Sequence, residues 1–166
     1  MKTKALARGA VLTAAALALS LLESALPLAL LIPLPGVKLG LANVVTMVAL
    51  FSLGGAGAAA VVLCRVFLLF LMSGSTTALL MSLSGSVLAL AGMLAARRFY
   101  PRRVSLFGIS MAGAALHSVG QIVCATLLMK SAMIVYYLPF LLVISLICGV
   151  LTACAAWVPV ARFEKK

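Results

Sequence analysis

The stretch VVTMVALFSLGGAGAAAVVLCRVFLLFLM, Val44 to Met72, decides the class of this protein. Arg65 is its sole charged residue. A helix that crosses a bilayer needs about 20 predominantly apolar residues, and this run exceeds that length. The GGAG at Gly54 to Gly57 divides it. One span runs roughly 37–53 and ends there; the next runs roughly 56–72 and ends at SGST.

Working outward, the same apolar character recurs on both sides. A first span covers roughly 5–26, and Pro27, Pro33 and Pro35 keep it from continuing into the second. Beyond SGST a fourth span covers roughly 77–96. RRFYPRR, Arg97 to Arg103, reads as a loop. A fifth span covers roughly 105–129 and a sixth roughly 135–158, followed by a charged tail. The pattern predicts an all-α, polytopic membrane protein of six transmembrane helices, with residues 1–166 forming a single membrane domain. Composition agrees: 66% of residues are hydrophobic and 9% are charged, too few for the surface of a soluble domain this size. The alternating polar pattern of barrel strands is absent.

The charges are sorted by position. The formal net charge is +11, and ten of the 13 lysines and arginines fall into three clusters. These are Lys2, Lys4 and Arg8; Arg97, Arg98, Arg102 and Arg103; and Arg162, Lys165 and Lys166. Six spans place all three on one side, which the positive-inside rule makes cytoplasmic, with both termini there. Anionic membrane lipid is then their expected neighbour, rather than nucleic acid. The basic start and apolar core of the first span also fit a signal peptide. Its removal would send the basic tail to the other side, so a retained span is the favoured reading.

Several chemistries are disfavoured. Cys64, Cys124, Cys148 and Cys154 lie within spans without CxxC spacing and read as buried thiols filling apolar space. One histidine and no aspartate argue against a metal site. The sequence contains no GxxxxGKS loop, so no ATPase of its own is expected. No cofactor is expected either.

What remains is polarity in costly places. Glu23, Lys38, Arg65, His117 and Lys130 lie in or at the edge of spans, where ionisable groups default to a functional hypothesis. At about 1.5 Å per residue, Arg65 sits near the midplane and His117 at or beyond it. Glu23 falls in the outer half, Lys38 opens the second span from outside, and Lys130 closes the fifth. Ser110, Gly113, His117, Gln121 and Cys124 share one helical stripe, and Asn43 and Thr46 share another face. Ser82, Gly85, Ser86, Ala89, Gly92, Met93 and Ala96 form a small-residue stripe in the fourth span, suited to close helix packing. Bland readings stand beside the functional ones: Glu23 with Arg65 as a structural ion pair, Lys38 and Lys130 as snorkelling anchors, and His117 with Gln121 as an interhelical clamp. Ala10, Ala14 and Ala18 form a small-xxx-small ladder, either for packing within the bundle or for docking another membrane protein.

The segments PGVKLGLANVVTMVALF, CRVFL, ALHSVGQ and YYLP resemble the Gx transporter family, also named heptaprenyl diphosphate synthase component I. The resemblance follows nearly the whole chain in matching order. That family is similar to the S components of energy-coupling-factor transporters, which implies an S-component-like bundle binding a small solute near the outer surface. It also implies docking on a membrane coupling subunit with paired ATPases, through a ladder such as Ala10, Ala14 and Ala18. Where the family shows an asparagine beside the histidine, this chain has Ser118, so no ligand role passes to that position. The synthase name meets a chemical objection. Prenyl diphosphate synthases carry aspartate-rich motifs that hold Mg²⁺ against the diphosphate. This chain has no aspartate and, as glutamates, Glu23 and Glu164.

The expectation is therefore a solute-binding membrane subunit, not an enzyme. Lys38, Asn43, Arg65, His117, Gln121 and Glu23 are expected to line the site, with Lys38 and Arg65 favouring an anionic or carboxylated solute. The rival class is a non-catalytic interaction subunit that organises a redox or isoprenoid complex in the membrane. A stand-alone carrier would show an inverted repeat, and none is evident.

Overall fold

A computed structural model describes residues 2–25 and 38–164. The proline-rich stop at Pro27, Pro33 and Pro35 lies outside the described residues, as do Lys165 and Lys166. Among the described residues there are five α-helices: α1, Lys2–Ala25; α2, Asn43–Ser73; α3, Thr76–Arg97; α4, Leu106–Met129; and α5, Leu138–Glu164, preceded by a 3₁₀ turn over Ala132–Tyr137. All five, the last together with its 3₁₀ turn, are long and apolar enough to cross a membrane.

The surface agrees with that reading. Phe67, Leu71, Leu127, Val143 and Leu151 are all more than half exposed, whereas Ser82, Ser86, Ser110 and Thr152 are buried. Apolar side chains outside and polar ones inside suit a hydrocarbon solvent, since contiguous exposed apolar surface marks contact with membrane or partner.

The second and third expected spans form one assigned helix, α2, broken in the middle. Gly54 has φ 78° and ψ −177°, outside helical space. That backbone region is essentially open to glycine alone. The break is a reversal, as two contacts require. Gly40, just before α2, donates its N–H to Glu23 Oε1. Arg65 Nη1 donates to Ser20 Oγ at 2.9 Å, one turn earlier on α1. A straight helix would hold residues 43 and 65 about 33 Å apart. Between these contacts Leu53 packs beside Gly9, far down α1. The first arm of α2, up to Leu53, therefore runs antiparallel to α1, and the second arm, from Gly55, returns beside it. The sequence reading of GGAG as a gap is corrected: only Gly54 leaves the helix.

Reversal strips the end of the first arm of its next-turn donors. Arg97 fills part of that deficit: its Nη1 donates to Leu50 O at 2.7 Å, and the guanidinium lies 4.8 Å from the centre of the Phe51 ring. Ser75 and Ser105 cap α3 and α4 by accepting from Ala78 N and Gly108 N, each at 3.2 Å. Gly74 closes α2 in the left-handed region, φ 65°, as C-terminal caps favour.

The small-residue stripe of α3 packs on α4. A Cβ at Gly120 would meet Ser84 O at 2.7 Å, so the helices approach to backbone distance there. Ser110 ties α4 to α5 by donating to Gly149 O at 2.7 Å. Beneath lies a core of Met47, Leu50, Met93, Ile109, Ala153 and neighbours. Arg8 lies 5.9 Å from the centre of the Phe163 ring, and both line a groove with Ser52 and Val48. Ser52 follows the Phe51 that stacks under Arg97. The described parts of the three basic clusters thus share one end of the bundle.

Candidate functional site

The site is built on residues 38–42, which are not helical. The sequence reading began its second span at residue 37; the helix begins at Asn43. Gly40 explains the delay. Its φ of +84° breaks helical geometry, and its carbonyl accepts from Asn43 N at 2.9 Å to turn the chain into α2. A Cβ there would meet Asn43 Nδ2 at 2.8 Å and His117 Cδ2 at 3.3 Å, so a side chain would have no room.

Non-helical backbone buried among spans must be satisfied by side chains, because hydrocarbon offers no hydrogen bonds. Two of the expected site residues do this. With its amide oxygen turned to Lys38 N, Gln121 accepts from that N–H and donates to Lys38 O, both at 3.0 Å. Glu23 accepts from Gly40 N. The strap is pinned between α1 and α4 by these two contacts. Gln121 is fully buried and Glu23 nearly so.

Arg65 enters from the second arm of α2. It is 2% exposed and bonds two hydroxyls, Ser20 Oγ at 2.9 Å and Ser86 Oγ. Glu23 interacts electrostatically with Lys38 and, more weakly, with Arg65. The alternative reading of Glu23 with Arg65 as a structural ion pair meets no direct contact: Arg65 bonds neutral serines and Glu23 a backbone N–H. Buried charges need such dipoles where water is absent. Asn43 opens α2 and is 2% exposed, and the His117 ring lies between Gly40 and Gly85. All six expected residues, Glu23, Lys38, Asn43, Arg65, His117 and Gln121, thus converge around one strap. Among the described residues, three buried side-chain nitrogens there lack hydrogen-bond partners: Asn43 Nδ2, Arg65 Nε and His117 Nδ1; Ser82 Oγ on α3 is a fourth buried polar atom without one.

Other expected features fall elsewhere. Lys130 is the exposed, left-handed cap of α4, φ 48°. Ala10, Ala14 and Ala18 are exposed. Ala10 and Ala14 line an apolar groove of about 610 Å³ between α1 and the second arm of α2, with Gly57, Val61 and Cys64 opposite. Of the cysteines Cys148 is buried, but Cys64 and Cys154 are exposed, so the expectation of buried filler fails for those two. An exposed thiol is still a small, weakly polar group, which a chain this apolar tolerates on its surface. Ser20 and Ser86 were not expected at the site. Ser20 precedes Glu23 by three residues, a spacing that puts both on one face of α1, and Ser86 lay in a stripe read as packing.

A family model described as heptaprenyl diphosphate synthase component I matches residues 12–158. The chain belongs to that family. No curated protein and no solved structure matches the chain. The stretch shared with the component I family contains the whole strap, the six residues around it, and both serines that hold Arg65. It also contains Ala14 and Ala18, whereas Ala10 lies before it.

Proposed function

We propose that the chain is an integral membrane subunit that binds a small anionic or cofactor-like solute at the strap. One observation carries this reading: around the strap Asn43 Nδ2, Arg65 Nε and His117 Nδ1 are buried without hydrogen-bond partners. Nearly all buried polar groups find partners, so several unpaired nitrogens on residues around one strap call for a guest that supplies acceptors. Two cations, Lys38 and Arg65, face one anion, Glu23, which favours a carboxylate or similar group. In this reading the chain crosses the membrane six times, the two arms of α2 counting separately. Both termini are cytoplasmic, as the shared end of the basic clusters supports. The resemblance to S components assigns energy to partners, a coupling subunit with ATPases that docks on Ala10, Ala14 and Ala18. The chain performs no chemistry itself, having no aspartate to hold the Mg²⁺ of a prenyl diphosphate.

A second reading is favoured by the close packing of the strap, where Glu23 and Gln121 are already engaged by backbone. The polar cluster then fixes the fold of a non-catalytic interaction subunit. The family description, a synthase component, fits a membrane partner of a prenyl diphosphate enzyme.

Lys38→Ala and Lys130→Ala separate the two. The measurement is solute retention by native mass spectrometry of gently purified protein, then titration of the retained solute, with melting temperature as the folding control. The first reading expects Lys38→Ala to weaken binding about ten- to a hundred-fold, the worth of a desolvated charged contact. Lys130→Ala should change it little. No retained solute, or equal small effects, would favour the interaction subunit.

A further inference from the structure

At the other end of the bundle, α3 and α4 are joined by a tight loop. Arg103 N and Val104 N both donate to Phe99 O, at 2.9 and 3.3 Å, which folds the loop back on itself. Arg98, Phe99, Tyr100, Pro101, Arg102 and Arg103 surround a polar cup of about 340 Å³. The neighbouring Arg97 is committed to Leu50 O and the Phe51 ring, and Tyr100 packs edge-on against Phe51 at 5.5 Å. The base of the loop is thereby anchored to the first arm of α2. Arg98, Arg102 and Arg103 are different. They are exposed, and among the described residues their side chains make no hydrogen bond or ion pair. The loop itself contains no carboxylate to neutralise them.

We propose that this cup is a binding site for a phosphate monoester or diphosphate headgroup at the membrane surface. Three guanidiniums crowded on one closed turn repel one another, and an anion between them relieves that repulsion. Guanidinium forks match phosphate oxygens two at a time, which a simple positive patch of lysines does not. A phosphate monoester carries about −1.5 to −2 charges at neutral pH, against the single charge of a phosphodiester, and suits three cations better. The loop joins two candidate spans, which places it where the headgroup of a lipid meets water. This site is remote from the Lys38 strap and stands independently of the function proposed there.

The test uses the full chain in detergent and three probes: dioctanoyl phosphatidic acid, dioctanoyl phosphatidylglycerol and inorganic diphosphate. Affinities are read by titration calorimetry. The monoester lipid is expected to bind at least about tenfold more tightly than the phosphodiester lipid, the worth of one added charged contact. The triple change Arg98→Gln, Arg102→Gln, Arg103→Gln should abolish that preference, while Arg162→Gln in the tail should keep it. Arg102→Gln alone serves as the milder variant. Competition by inorganic diphosphate identifies the headgroup as sufficient; its failure to compete makes the lipid chain part of the ligand. Either result keeps the cup. Equal binding of the two lipids, or the same loss from Arg162→Gln, reduces the site to general attraction between a basic face and anionic lipid, and the proposal falls.

Discussion

Around the strap, the one guanidinium present, Arg65, is buried and bonded to two serine hydroxyls, whereas in the α3–α4 loop Arg98, Arg102 and Arg103 are exposed and bond nothing among the described residues. The side chains are chemically the same. The difference is what replaces water. In the interior every charge or bare amide must be met by a neighbouring dipole, so Ser20, Ser86, Glu23 and Gln121 are recruited to specific atoms. At the surface solvent does that work, and the arginines stay free for a passing anion. A buried cation thus describes the fold around it, and an exposed one describes the medium.

The comparison breaks most visibly at Arg65. Arg65→Leu leaves two serine hydroxyls unpaired and Glu23 with less compensation, and should destabilise by about 3–5 kcal/mol, as removal of one member of a buried charged network does. Arg102→Leu should change stability by no more than about 0.5 kcal/mol. Thermal unfolding in one detergent measures both, and equal shifts would mean that Arg65 is hydrated in the native protein.

Gln121 gives the next effect. Gln121→Leu abandons the N–H and carbonyl of Lys38, and should cost about 2 kcal/mol or more, since each buried group left unpaired carries a desolvation penalty. Gln121→Glu keeps an acceptor for Lys38 N and loses the donor to Lys38 O, so it should fall between. Hydrogen exchange at Lys38 to Leu41 locates the damage. Unchanged protection there in Gln121→Leu would show that other groups hold the strap.

The smallest effect sharpens the comparison at two glycines. Gly40 and Gly74 both have positive φ, +84° and +65°. Alanine at either adds about 1–2 kcal/mol of backbone strain. At Gly74 a Cβ meets nothing within 4 Å, while at Gly40 it meets Asn43 and His117. Gly40→Ala should therefore lower the melting temperature further than Gly74→Ala. Matching shifts would mean that the strap moves aside without cost.

Much of this was legible in the chain. Apolar runs placed the helix boundaries of α1, α3 and α4 to within a few residues, because a bilayer imposes length and composition together. The stripe Ser110, Gly113, His117, Gln121 and Cys124 is readable from period alone; the first four are buried and Cys124 is half-buried. The convergence of Glu23, Lys38, Asn43 and Arg65 was inferred from cost: each is too polar for lipid. The assignment of partners was not legible. Opposite charges suggested Glu23 with Arg65, but hydrogen-bond pairing depends on which atoms meet across helices, and periodicity fixes only a face. Nor was the continuity of helix through Gly55 to Gly57 readable, since a glycine run is compatible with both a loop and a tight bend.

By itself the sequence determined that the chain carries apolar runs long enough to cross a membrane, that most of its cations gather in clusters between or beyond those runs, and that it contains no aspartate. Those are sums over residues, and they hold whatever the packing. Only the tertiary structure decided that α2 reverses at one glycine, that Lys38 precedes a helix instead of opening it, and that serines hold the buried arginine. Each of these depends on atoms far apart in the chain meeting at hydrogen-bond distance, a range over which local pattern carries no information.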